Sequence, residues 1–259
     1  MAKKPVVVIG MGEMGSVFAR GLLRLGHPVH PVLRGTDMKK QARRLPDPKL
    51  VLVAVAEGDL QPVLEALPKT WRKNLALLQN ELLPDDYRHL GDVTVISVWF
   101  EKKKGQDSKV IIPSPVHGPR AGLLIRALAT LDIPATAIES ERGMLFELVV
   151  KNLYILTSNI AGLRVGGTVG QLWHEHQAFA RAVANEVIAL QERLTGSRFN
   201  NDELIAAMVT AFEGDPGHRC MGRTARARLD RALAHADRLG INLPTLRDIA
   251  EADQEAVAT

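Results

Sequence analysis

Val6-Val7-Val8-Ile9-Gly10-Met11-Gly12-Glu13-Met14-Gly15 is followed directly by Ser16-Val17-Phe18-Ala19-Arg20-Gly21-Leu22-Leu23. An unbroken apolar run of this kind reads as a strand covered on both faces. The glycines that end it are spaced G-x-G-x-x-G, and Val17, Phe18, Leu22 and Leu25 recur at helical period. Strand, glycine loop and helix in that order turn a weak pattern into a dinucleotide-binding fingerprint. Gly10 permits the tight turn, Gly12 lets the backbone approach a pyrophosphate without a Cβ, and Gly15 lets the helix lie close to the strand. Met11, Glu13 and Met14 complete the loop, and the helix N-terminus faces the phosphates.

The other end of the nucleotide is read from the next strand. Gly26 closes the helix, and His27 to Leu33 predicts a strand ending at Arg34-Gly35-Thr36. An acidic residue about 20 positions on would accept from a ribose 2′-hydroxyl, whereas an arginine accommodates a 2′-phosphate. The residue here is Arg34, with Lys39, Lys40, Arg43 and Arg44 close behind. A guanidinium forms paired charge-assisted hydrogen bonds to phosphate, and a carboxylate would repel it. The expected cofactor is therefore NADP(H). Asp37 is the competing reading, a loop carboxylate on the ribose of NAD.

Composition bounds the rest. With 259 residues and 46 % apolar content the chain can bury one large core or two modest ones, and wholesale disorder is excluded. A single cysteine, Cys220, precludes an internal disulfide framework and fits a reducing compartment. Met1-Ala2-Lys3-Lys4 runs straight into the first strand without a signal peptide, and Glu147, Lys151, Asn152 and Asn159 interrupt the apolar stretch from Met144 to Leu163. A cytoplasmic protein without a membrane partner is the expectation. Arg219, Arg223, Arg226, Arg228, Arg231 and Arg238 cluster, but Asp230 and Asp237 interleave and stacking aromatics are few. A solvated helix face, and no nucleic-acid partner, is expected there.

Further along, Leu50 to Val55, Asn74 to Gln79, Val93 to Phe100, Lys109 to Ile112 and Ala135 to Ile138 predict strands. Asp59 to Leu67 and Pro119 to Leu131 predict helices, and the prolines at 46 and 48 shorten any helix between residues 35 and 49. Alternation of this kind predicts an α/β fold, a Rossmann-type doubly wound and mostly parallel sheet. From Glu139 on, only helical periodicity remains: Glu141 to Leu163, Val169 to Leu194, Asn201 to Phe212, Arg223 to Leu239 and Leu246 to Ala256. The expected organisation is a nucleotide-binding domain over residues 1–140 and a smaller all-helical domain over 141–259.

The helix from Glu141 to Leu163 is apolar nearly all round, so it is expected to be buried. At about 100° per residue, Lys151 and Ser158 project close together, with Asn152 and Asn159 at one edge of the same side. A polar stripe on a buried helix lines something polar, because unpaired buried donors are costly. A lysine desolvated there is a candidate proton donor near neutral pH. The competing reading is a lysine that reaches the surface while the two asparagines bridge helices.

Taken in order, Gly10 to Gly15, Leu33-Arg34-Gly35, Leu78-Gln79-Asn80, His117-Gly118-Pro119 and Lys151 with Asn159 eight residues later resemble the ketopantoate reductase family. His218-Arg219-Cys220-Met221 and Leu239-Gly240-Ile241-Asn242-Leu243-Pro244 extend the likeness to nearly the whole chain. The resemblance implies reduction of 2-dehydropantoate, or a similar small anionic 2-oxo acid, by NADPH in the cleft between a Rossmann domain and a helical domain. It implies Lys151 as general acid, Asn80 near nicotinamide and substrate, and Asn159, with Ser158 beside it, at the substrate. An ammonium in a dry site both stabilises and protonates the oxygen that hydride transfer makes alkoxide-like.

Departures from the family are specific. Ile155 stands where the family has a helix asparagine, Ala56-Glu57-Gly58 lacks its lysine, and Glu81 replaces the glycine after Asn80. The segment Gly222 to Arg226 leads into a helix without the family's substrate-binding glutamate. An NADPH-binding sensor or partner-binding module that has lost turnover is therefore the alternative function. Trp173-His174-Glu175-His176 places its histidines two apart, which diverge on a helix, so no metal is expected. Monomer and homodimer both stay open.

Overall fold

The computed structural model describes residues 3–258, with side chains described through Asp253. The order is β1 (Val6–Ile9), α1 (Glu13–Arg24), β2 (Val29–Val32), α2 (Met38–Arg44), β3 (Leu50–Val53), α3 (Leu60–Ala66), α4 (Lys69–Arg72), β4 (Leu75–Leu77) and β5 (Thr94–Ile96). There follow β6 (Phe100–Glu101), β7 (Lys109–Val110), β8 (Ser114–His117), α5 (Ala121–Ala129) and β9 (Ala135–Ala137). Helices complete the chain: α6 (Glu141–Val165), α7 (Val169–Glu175), α8 (Gln177–Thr195), α9 (Asn201–Gly214), α10 (Ala225–Leu239) and α11 (Pro244–Ala258). Internal contacts divide it into two compact units after Leu148, inside α6.

The first unit is built on a seven-stranded sheet ordered β2-β1-β3-β4-β5-β8-β9. Only the β5–β8 pair is antiparallel. The apolar runs are explained by two covered faces. Val6, Val8, Leu50 and Leu52 pack with Phe18 and Leu22 of α1 and Leu124 and Leu128 of α5. Val7, Ile9, Val51 and Val53 point the other way, toward Leu60 and Leu64 of α3, Trp71 of α4, and Met144 and Leu148 at the start of α6. Each such side chain taken from water contributes about 1.5–3 kcal/mol. β2 is one of the two edge strands, and there Pro31, which has no N–H to give a ladder, and His30 are exposed.

The strand expected over Lys109 to Ile112 is present as Lys109–Val110, but outside the main sheet, pairing with Phe100–Glu101 in a separate two-stranded ribbon. The sheet position falls instead to Ser114–His117, where Pro113 and Pro115 hide the strand signal. The short helix between residues 35 and 49 is present as α2, and Asp37 caps it by accepting from the Lys40 N–H at 2.9 Å.

In the second unit α6 is the central element, buried without interruption from Asn152 to Gly162. By length and composition α6 could cross a membrane, contrary to the sequence reading, but 78 % of its apolar window is buried inside the protein. That burial identifies a core helix. The expected helix over Val169 to Leu194 is two helices: His176, at φ −127° and ψ 32°, leaves helical geometry between α7 and α8. Thr168 and Gln171 form a reciprocal cap on α7, and Asn200 caps α9. Glu186 of α8 accepts from the N–H groups of Thr245 and Leu246 at 2.8 and 3.0 Å, closing the start of α11.

Candidate functional site

The strand order brings the glycine loop to a defined place. The chain passes from β1 outward to β2 and returns to β3 on the other side of β1, so the sheet changes direction at the carboxyl ends of β1 and β3. Open α/β sheets bind ligands at that switch point. The three glycines there have three separate reasons. Gly10 sits at φ +91°, and a Cβ on it would stand 2.7 Å from the Ala54 carbonyl oxygen of the loop after β3. A Cβ on Gly15 would stand 2.0 Å from the Gly10 carbonyl oxygen. A Cβ on Gly12 would meet nothing within 4 Å.

Gly10 and Gly15 thus serve the protein's own packing, and above Gly12 the structure leaves open space. Gly12 is also the N-cap of α1 and offers no side-chain cap. A twelve-residue helix whose first N–H groups have no side-chain acceptor, beneath open space, fits a diphosphate. Met11 and Met14 pack onto the apolar core and Glu13 is exposed, with Lys102 Nζ 4.0 Å from its carboxylate.

At the ribose end, Arg34 follows β2 with its side chain 92 % exposed and its guanidinium 3.3 Å from Asp59. Asp37, the competing ribose acceptor, is occupied in capping α2, and the Lys40 N–H holds its carboxyl below the usual carboxylate range. Lys39, Lys40, Arg43 and Arg44 are exposed on α2.

The loop after β4 is tied to the loop after β3. Gln79 donates to the Val53 and Val55 carbonyls at 2.9 and 3.2 Å, and Asn80 Nδ2 donates to Glu57 at 2.9 Å. Glu81 adopts φ +59°, a left-handed conformation that glycine takes at no cost. Sequence spacing gives no sign of Glu57 as the partner of Asn80.

In the helical unit the polar stripe of α6 divides. Asn152 bridges helices, donating to Gln191 Oε1 of α8 at 3.0 Å in a fully protein environment. Ser158 is fully buried and donates to the Tyr154 carbonyl at 2.7 Å, so its proton serves its own helix. Lys151 is half-buried, its Nζ 5.6 Å from the Tyr154 ring centroid, within cation–π range. Tyr154 itself stacks near Phe212 and His218, at 5.2 and 6.1 Å between centroids. Asn159 is 7 % exposed, and its Oδ1 accepts from Arg228 of α10 at 3.0 Å. A contact across 69 positions leaves no trace in local spacing.

His117 Nδ1 is 2.8 Å from the Ile138 carbonyl, and His174 and His176 are exposed. Cys220 is fully buried, and burial pushes its thiol up to about 11. Arg226 is compensated by Asp230 and Asp253 at 3.0 and 2.8 Å, and Arg247 pairs with Asp237.

No family model and no curated protein matches the sequence. Solved structures do match. A 2-dehydropantoate 2-reductase from Methylococcus capsulatus superposes with a TM-score of 0.69 at 14 % identity, covering 98 % of this chain and 97 % of that one. A dimeric ketopantoate reductase from Staphylococcus aureus gives 0.64 at 15 % identity over 97 % and 98 %. D-Mandelate dehydrogenase, solved with NADH and anilino(oxo)acetate, gives 0.66 at 13 % identity over 98 % and 100 %. The doubly wound sheet with its helical second half is therefore the ketopantoate reductase fold, here in a very divergent sequence.

Proposed function

We propose that this protein is a divergent member of the ketopantoate reductase family, an NADPH-dependent reductase of a small 2-oxo acid. The observation that carries this reading is the room above Gly12, over an uncapped helix start, in a chain that follows the reductase fold from end to end. Gly10 to Gly15 would hold the diphosphate, and Arg34 the 2′-phosphate, with Asn80 toward the nicotinamide. The nucleotide, when bound, supplies the hydride. Lys151 holds the proton for the carbonyl oxygen, and its positive charge stabilises that oxygen as it becomes alkoxide-like. Asn159 contacts the substrate, and Ser158 supports Asn159 from behind at 3.5 Å. Residues 1–140 would form the nucleotide domain and 141–259 the catalytic one. The dimeric relative makes a homodimer the assembly to test by light scattering.

Fluorescence titration is expected to give tighter binding of NADPH than of NADH. Charge-assisted hydrogen bonds contribute about 1.5–3 kcal/mol, so Arg34→Ala should reduce that preference by about tenfold or more. A 2-oxo-acid panel should oxidise NADPH, and Lys151→Ala should abolish turnover while nucleotide affinity survives. One observation favours the second reading, a nucleotide-binding module without turnover: Ile155 is packed in the core where the family has an asparagine. NADPH binding with no oxidation by any 2-oxo acid would decide for that reading.

A further inference from the structure

The β6–β7 ribbon is tied to α1, the helix that the glycine loop opens. Phe100 of β6 is buried with its ring centroid 6.1 Å from that of Phe18, and Val110, its ladder partner, packs on the same apolar cluster. Back along α1 from Phe18 to Glu13 is a rise of about 7.5 Å, and on from Phe100 to Lys102 is about 6.6 Å of extended chain. The ribbon therefore brings Lys102 level with the start of α1. There its Nζ stands 4.0 Å from the Glu13 carboxylate.

Lys102 is held in this position. Its side chain is 18 % exposed, and its ammonium donates to the Lys103 and Gln106 carbonyls of the ribbon's own turn. At 4.0 Å the Glu13 carboxylate attracts the ammonium without a hydrogen bond, so the third N–H makes none among the described residues. A cation is ill placed at the positive end of a helix, and a carboxylate is ill placed in a loop that is to hold a diphosphate. The two misfits answer each other. The ammonium screens the carboxylate from the diphosphate, and the diphosphate supplies the charged acceptor that the ammonium lacks.

We infer that Lys102 is a nucleotide-binding residue, its third N–H donating to the diphosphate over Gly12, with Glu13 as its counter-ion when no nucleotide is bound. This rests on the reading of the glycine loop as a nucleotide site. Arg34 selects the 2′-phosphate in that reading, whereas Lys102 holds what NADPH and NADH have in common.

The test is calorimetry on the full chain with NADPH and NADH. Lys102→Gln keeps N–H groups for the turn carbonyls but no charge, so a lysine that only ties the turn survives it. The inference instead expects both nucleotides to bind about tenfold or more weakly, and by the same factor, as for one charge-assisted hydrogen bond. That loss should shrink as salt is raised, because its origin is charge. Lys102→Arg keeps a charged donor and should retain most of the affinity. Glu13→Gln leaves the ribbon untouched and should tighten both nucleotides. Undiminished affinity in Lys102→Gln, Lys102→Arg as weak as Lys102→Gln, or no tightening in Glu13→Gln overturns the inference. NADPH oxidation by 2-oxo acids separates it from the reductase reading. Turnover with an affinity indifferent to residue 102 keeps the reductase and removes this contact. An affinity that follows the charge at residue 102, without turnover, keeps the contact and removes the reductase. A chain that binds neither nucleotide overturns both.

Discussion

Three glycines spaced as one motif obey three different constraints, and substitution should separate them. Gly15→Ala drives a methyl to 2.0 Å from the Gly10 carbonyl oxygen, which nothing can relieve without moving β1 against α1. Denaturation should show a loss of at least about 2 kcal/mol, in the range of core overpacking. Gly12→Ala meets open space. Its cost to stability should stay near the ~1 kcal/mol of a poorer N-cap, while NADPH titration should show binding weakened by about tenfold or more. Equal effects of the two on folding would remove the argument that the space belongs to a ligand. Cys220 is the converse case, a chemically suggestive residue held out of solvent's reach. Fully buried, with its thiol raised to about 11, it should resist iodoacetamide in the native protein at neutral pH and react only after unfolding, as mass spectrometry would show. The glycines and Arg34 are legible in sequence because their context is local. Arg228 against Asn159 and Glu57 against Asn80 are not, because they are made by tertiary packing alone.

At the scale of elements, α6 shows how a polar stripe is divided among jobs. The Asn152–Gln191 bridge joins two helices where neither residue meets water. Asn152→Leu leaves the Gln191 amide buried without this partner, and thermal or chemical denaturation should register about 1–3 kcal/mol. Asn152→Leu combined with Gln191→Met should recover most of that loss, because no amide is then orphaned. Glu147, earlier on the same helix, has its carboxyl raised by burial. The folded pKa lies above the unfolded one, so its contribution to stability is complete below the ordinary glutamate range and is lost as pH rises through the folded value. Glu147→Gln should therefore raise the melting temperature at pH 8 and change it little at pH 4. Burial of α6 could be read from its composition. β8 could not, since Pro113 and Pro115 mask it, and neither could the break at His176, which no glycine or proline announces.

For the molecule as a whole, the sequence order of strands and helices was enough to expect a doubly wound sheet followed by a helical half, because apolar runs and helical periods are local signals. Which strands neighbour one another is decided by crossovers, and it is the β2-β1-β3 order that sets the glycine loop at a switch point. The compactness of each unit gives this arrangement a measurable consequence. A ligand that binds only the folded form stabilises it by RT ln(1 + [L]/Kd), about 2.7 kcal/mol at a hundredfold excess over Kd. Openings that destroy the loop after β1 must release the nucleotide and so become rarer by that amount, roughly a hundredfold. Openings confined to α8, α9 and α11 leave the glycine loop intact and gain nothing. Hydrogen exchange with saturating NADPH should therefore slow strongly in β1, α1 and β3 and stay near its nucleotide-free rate in those three helices. Protection appearing first in α8 to α11, with β1 and α1 unmoved, would place the nucleotide away from the glycine loop.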